Sequence, residues 1–178
     1  MKTLQKTIAI VALATLLFST NLFAQPLSAT ADVKIQLKKA LSIGFVDGSL
    51  DFGELLVTGA PQAPSITRAN GAHFLVTGHP GKNVTINYSN VTLDNNDWSD
   101  ANADASNYAV MTFTAGMDHT GLTAPHAGGT SIADGAVVGL VNDTGTGKLN
   151  LWVGGSIAVA AGQNHGDYEG TLTVDVAY

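Results

Sequence analysis

The sequence predicts an all-β fold, an immunoglobulin-like sandwich of about eight or nine short strands. Three observations carry that prediction. Apolar residues recur at every second position in several short runs, the period of a strand with one buried face. Gly, Pro, Asn and Asp separate those runs at the spacing of tight turns. No window of twelve or more residues after residue 24 keeps a 3.6-residue period. The composition agrees: only 12% of residues are charged and 20 are glycine, whereas exposed helix faces favour Glu, Lys, Arg and Gln. A closed barrel is the alternative all-β arrangement.

The last stretch is the clearest element. In residues 166–178, Tyr168, Leu172, Val174, Val176 and Tyr178 fall on even positions and Glu169, Thr171, Thr173, Asp175 and Ala177 on odd ones. This alternation predicts a half-buried strand tied into a sheet.

The chain opens with Lys2, Lys6, an apolar run over residues 8–18 and Ala24. That order predicts a secretory signal peptide over residues 1–24, cleaved after Ala24 or at the small-residue site near Ala29 and Ala31. The run is too short to span a bilayer, which takes roughly 20 residues. Residues 25–178 then form a single domain of 154 residues, enough to bury about two-thirds of its unfolded surface.

Six basic residues then face 14 acidic ones, a net charge of −8. That balance disfavours nucleic acid and anionic membrane as partners. With 0 cysteines, no disulfide and no thiol chemistry is available in an oxidising compartment.

Within the domain, Ala31, Val33, Ile35 and Leu37 alternate with Asp32, Lys34 and Gln36, predicting a strand over residues 30–38. It is either the first strand of its own sheet or a segment that adds to a neighbour's sheet. Leu41 and Ile43 continue before the Asp47-Gly48 turn, and Leu50-Asp51-Phe52-Gly53 reads as another short strand. Residues 57–65 hold two prolines and read as a loop. Residues 71–78 and 83–88 predict a hairpin closed by Pro80-Gly81. Residues 94–107 read as a long polar loop around Trp98. Residues 109–114 predict a strand and residues 116–129 a loop. Short strands follow near residues 136–141 and 148–155, with Leu149, Leu151 and Val153 on one face and Asn150 and Trp152 on the other.

Chemistry is sparsely marked. His73, His79, His119, His126 and His165 have no zinc-type spacing, and only His119 and His126 share a predicted loop. Residues 94–104 begin like a calcium loop, but Trp98 stands at the third ligand position and no closing Glu follows. No nucleophile elbow, phosphate loop or dinucleotide fingerprint is present. The expectation is therefore no catalytic residue, no metal and no cofactor, with Trp98 as the candidate of a binding loop.

The motifs Leu50-Asp51-Phe52-Gly53, Val153-Gly154-Gly155, Gln163 and the Gly-x-Tyr-x-Gly-x-x-x-Val-x-Val-x-Tyr pattern of Gly166 to Tyr178 resemble a group of exported bacterial β-domains. The two ends are also similar to pilin subunits of the chaperone–usher and spore-coat-U types. That resemblance implies a sandwich lacking one strand. A periplasmic chaperone would fill the gap along Tyr168, Leu172, Val174, Val176 and Tyr178. The N-terminal segment of the next subunit would then replace it through Ala29, Ala31, Val33 and Ile35, residues 25–38 being the donor. The expected role is a non-enzymatic subunit of a surface filament or fimbria, with like subunits, a chaperone and an outer-membrane usher as partners. The alternative is a secreted or surface module that binds glycans.

Overall fold

The computed structural model of the protein describes residues 31–95, 101 and 109–178. The chain divides into two compact units, Met1–Gln36 and Leu37–Tyr178. Of the first, residues 31–36 are described, and they carry no strand. Val33 is 95% exposed and Ile35 83%. Over residues 31–38, the described part of the strand expected at 30–38, no strand forms. A period-two pattern gives a segment the capacity to pair, but the backbone becomes a strand only where a neighbour supplies the ladder.

The second unit is an all-β sandwich of two antiparallel sheets. Its strands are β1 (Ser42–Asp47), β2 (Ser65–Ile66), β3 (Ala72–Gly78), β4 (Asn83–Tyr88), β5 (Val91–Asp94), β6 (Val110–Gly121), β7 (Thr130–Ile132), β8 (Ala136–Gly139), β9 (Val141–Asp143), β10 (Thr146–Ile157) and β11 (Val174–Ala177). The larger sheet runs β1-β3-β10-β6-β5, with β2 and β9 also pairing β10 and β7 pairing β6. The smaller is β11-β4-β8.

The core follows the alternation. Leu149, Leu151 and Val153 of β10, Val76 of β3 and Met117 of β6 meet Val84 and Ile86 of β4 between the sheets. These seven are completely or almost completely buried, and each aliphatic side chain buried this way contributes about 1.5–3 kcal/mol. A second cluster, Phe113, Ile157 and Val159, lies toward the other end of β6 and β10.

Two segments differ from their sequence patterns. Leu50 to Gly53 forms no strand, because the Asp51 carboxylate accepts from Gly53 N at 2.8 Å and holds a local turn. Its apolar residues still point inward. Leu50 packs on both clusters, and the Phe52 ring meets Phe113 edge-on at 6.0 Å. β6, in turn, continues to Gly121 where a loop was expected, because β10 and β7 pair it on both sides. The final strand is shorter than its pattern. Only Val174–Ala177 joins β4, while Glu169 makes a single bridge to Asp94.

Candidate functional site

The first cluster of functional interest lies on the outer face of the larger sheet. Antiparallel register aligns Asp47 with His73, His73 with Trp152, Trp152 with Asp118, and Asp118 with Ser131. Asp47 reaches that face because the ladder slips between Phe45 and Asp47, and one extra residue reverses the side-chain phase of a strand. Its carboxylate lies 3.1 Å from His73 Nδ1, while His73 Nε2 lies 2.9 Å from Asn150 Oδ1. Asn150 Nδ2 donates to Gly121 O at 2.8 Å. A slip at the far end of β6 turns Thr120 toward Trp152, whose Nε1 donates to Thr120 Oγ1 at 2.9 Å.

Asp118 is the hub of the other half. His126 Nε2 lies 3.1 Å from Asp118 Oδ2, and Arg68 Nη1 lies 3.1 Å from Oδ1. The second contact lacks the alignment of a hydrogen bond, so Oδ1 is buried without an aligned donor. His126 also meets the Trp152 ring edge-on at 5.6 Å. Arg68 comes from the 3-10 turn Arg68–Asn70. It can lie on the sheet because β6 offers Gly116 there; a Cβ at that position would stand 2.6 Å from Arg68 Nη2.

The outer face therefore carries a connected set of charges and rings beneath covering segments, although a strand's second face is ordinarily wet. Asn150 and Trp152 do point away from Leu149 and Leu151, as their alternation predicts. His119 and His126, which share a predicted loop, are separated: His119 stands on β6 opposite Leu151 and His126 on Asp118. Among the described residues, no group of three or more His, Cys, Asp or Glu side chains is placed to hold a metal.

The second cluster is an open seam. β11 pairs only with β4 and β1 only with β3, so each is the edge of its sheet among the described residues. β1 and β11 approach one another without a shared ladder. Leu172, Val174 and Val176 are half-buried against the main core, as are Leu41 and Ile43. Ile43 and Phe45 oppose Val76 and Phe74 and share their inner face. Phe45 nevertheless remains 62% exposed, touching Phe74 edge-on at 5.7 Å.

Tyr178 closes one end of this seam. Its hydroxyl accepts from His79 N at 2.6 Å and donates to Lys39 O at 2.8 Å, and Lys38 Nζ stands 5.0 Å from the ring centroid. Gly78 makes room for it, since a Cβ there would come within 2.6 Å of the Tyr178 hydroxyl. Tyr168 is placed differently from the other even-numbered residues: its hydroxyl donates to Asn164 O at 2.9 Å and accepts from Gln163 Nε2 at 2.8 Å, bracing its own turn. Ala29 and Trp98 lie outside the described residues, as does most of the 94–104 stretch. Within that stretch, Asn95 is buried and donates to His165 O at 3.1 Å.

The family model of a domain of unknown function, DUF4402, matches residues 46–178. The chain belongs to the DUF4402 family. No curated protein and no solved structure matches it. The DUF4402 span takes in both the outer-face row, from Asp47 onward, and β11, whereas Ile43 and Phe45 of the seam precede it. Sequence patterns alone miss Arg68, Asp118 and the pairing of His73 with Trp152. The available signal was polar residues, Asn150 and Trp152, on the outer side of a long strand.

Proposed function

We propose that this chain is a non-enzymatic structural subunit of a cell-surface filament, assembled by β-strand addition as in chaperone–usher and spore-coat-U-type pilins. The observation that carries the reading is Phe45, an aromatic on the inner face of β1 left 62% exposed next to the free edge of β11. A strand added to β11 would extend the smaller sheet over Phe45 and Ile43. Residues 31–37 of a second copy supply the matching chemistry, since Val33, Ile35 and Leu37 alternate and are 95%, 83% and 77% exposed.

Magnitudes favour a ladder over simple apolar contact. Burying those three side chains contributes about 5–9 kcal/mol. Ordering the seven residues that carry them costs about 1–2 kcal/mol each, which offsets most or all of it. Backbone pairing along β11 and the covering of Phe45 tip the balance. On this reading the protein is exported, a periplasmic chaperone covers the seam during transit to an outer-membrane usher, and like subunits replace it at the surface.

The test is a pair of measurements on the chain beginning at Gln25. Electron microscopy and light scattering should show polymers, and deletion of residues 25–37 should leave folded monomers that bind a peptide of residues 25–38. Phe45→Lys should weaken that peptide by about tenfold or more. Unchanged polymerisation after the deletion, or peptide binding indifferent to Phe45→Lys, would refute the assignment.

A further inference from the structure

The charges of the sandwich are segregated by end. Of the six basic residues after residue 24, three are neutralised: Lys34 pairs with Asp32 at 3.6 Å, Arg68 with Asp118 at 3.1 Å and Lys148 with Asp143 at 2.7 Å. The other three, Lys38, Lys39 and Lys82, pair with no carboxylate among the described residues. Tyr178 marks the end they share. Lys38 Nζ stands over its ring, Lys39 O accepts from its hydroxyl, and Lys82 closes the turn from His79, whose N donates to that same hydroxyl.

The opposite end, around Phe113, Ile157 and Val159, carries the other sign. Asp94 is the last residue of β5, pairs with Val110 at the start of β6 and bridges Glu169; Asp167 lies two residues before Glu169. These three carboxylates are exposed and join no cation among the described residues. β10 runs between the two ends, from Thr146, which accepts from Lys39 Nζ, to Ile157. Its twelve residues span roughly 40 Å, and screening at physiological salt acts within about 8 Å. The two ends therefore cannot neutralise each other within one copy.

Strand addition brings them together between copies. The added segment joins its own domain at Lys38, so its direction along β11 decides which end of the receiving copy that lysine meets. Parallel to β11, the segment would set Lys38 beside Tyr178, among the receiving copy's own lysines. Antiparallel, it carries Lys38 past Val174 toward Glu169. A register that faces Val33 with Val174 and Ile35 with Leu172 matches the apolar alternation on both sides, and it sets Lys38 opposite Glu169.

We propose that Lys38 and Lys39 of each arriving copy dock against Glu169 and Asp94 of the copy before it, and that this contact orients the added strand antiparallel to β11. The inference rests on the strand-addition reading and adds to it an electrostatic polarity. Rim charges of this kind act mainly on association rate and its salt dependence.

The experiment follows assembly of the chain beginning at Gln25 by light scattering, at about 0.01 M and about 1 M salt, where the screening lengths are about 30 Å and about 3 Å. The initial rate should fall about tenfold or more at high salt. At low salt, Lys38→Glu with Lys39→Glu should slow it about tenfold, as should Asp94→Lys with Glu169→Lys, and all four changes in one chain should restore it to within about threefold. A peptide of residues 25–37 ends before Lys38 and competes for the seam alone, so it should block the parent and the fourfold variant alike. Salt-indifferent assembly, or a fourfold variant no faster than either pair, overturns the charged contact while peptide inhibition leaves strand addition standing. Polymers that the peptide does not inhibit, or no polymers at all, refute strand addition and this contact with it. Binding to vesicles of anionic phospholipid that is lost in the lysine variant, with assembly unchanged, would give the basic end to a membrane and also overturn the proposal.

Discussion

The imidazole of His73 lies flat on the indole of Trp152, ring centroids 3.9 Å apart and planes 3° from parallel. Both residues are almost fully buried, and Trp152 also donates to Thr120. Trp152 is therefore a structural centre of the outer face and not a free platform. Trp152→Ala should destabilise the protein by about 3–5 kcal/mol, and Trp152→Phe, which keeps a ring but removes the donor, by about 1–2 kcal/mol. Denaturant midpoints at constant slope would measure both. Equal losses for the two variants would show that the hydrogen bond, not the stacked area, dominates.

His73 is bonded at both nitrogens to acceptors. The Asp47 carboxylate faces Nδ1, and Asn150 turns its Oδ1 toward Nε2 because its amide nitrogen is committed to Gly121 O. The ring is only 4% exposed, so removing the Asn150 partner leaves a buried nitrogen unsatisfied. Asn150→Ala should therefore cost about 1–3 kcal/mol, and Asp47→Ala less, because the Asp47 carboxylate is mostly exposed. Denaturant midpoints at constant slope would measure both, and equal losses would show that the exposed Asp47 bond matters as much as the buried one.

Tyr88 titrates in a region where the sign can be worked out. Burial raises its phenol above the ordinary value of 10.0, outweighing the nearby positive charge of Arg68. Below about 10 both folded and unfolded chains carry the proton, and the contribution is complete. Above it the unfolded chain ionises first, so stability falls with rising pH until the folded phenol ionises as well. Tyr88→Phe should remove that component of the alkaline loss. It should cost about 1 kcal/mol at neutral pH through the lost bond from the hydroxyl to Ile132 O, which is 2.8 Å long. Unfolding free energies at neutral and alkaline pH would check both effects.

Much of the fold was legible because a strand's faces are written locally. Leu149, Leu151 and Val153 alternate in the sequence and are buried together; Val84 and Ile86 behave likewise. The limit shows at Val33 and Ile35, whose alternation is as regular but which stand exposed, because pairing depends on a partner and not on the pattern. The outer-face cluster was not legible for a related reason. Asp118 and Trp152 meet only through ladder register, Arg68 reaches Asp118 from the 3-10 turn across Gly116, and Asp47 and Thr120 reach the row through single-residue slips in β1 and β6. Such slips leave no mark in hydrophobic periodicity. Leu50 and Phe52 kept their inward direction without a ladder, since core burial needs a side chain's position and not strand geometry.

The hairpin between β9 and β10 holds a correctable strain. Asp143 pairs with Thr146, leaving Thr144 and Gly145 as a two-residue turn with φ of 48° and 83°. Positive φ at both positions is the geometry of a type I′ turn, for which Asn-Gly is the favoured pair. Gly145 meets the requirement, but Thr144 carries a branched Cβ in the left-handed region, where it is disfavoured. The Asn142 side chain, accepting from Gly145 N at 2.9 Å, helps hold the turn closed. Thr144→Asn should stabilise the protein by about 0.5–1 kcal/mol, and Thr144→Gly by less, because glycine gains the same conformation while adding freedom to the unfolded chain. Thermal unfolding of the two variants beside the parent would separate these effects: a gain for Asn above that for Gly follows from strain relief, whereas no gain for either would mean that the β9–β10 ladder sets the turn without cost.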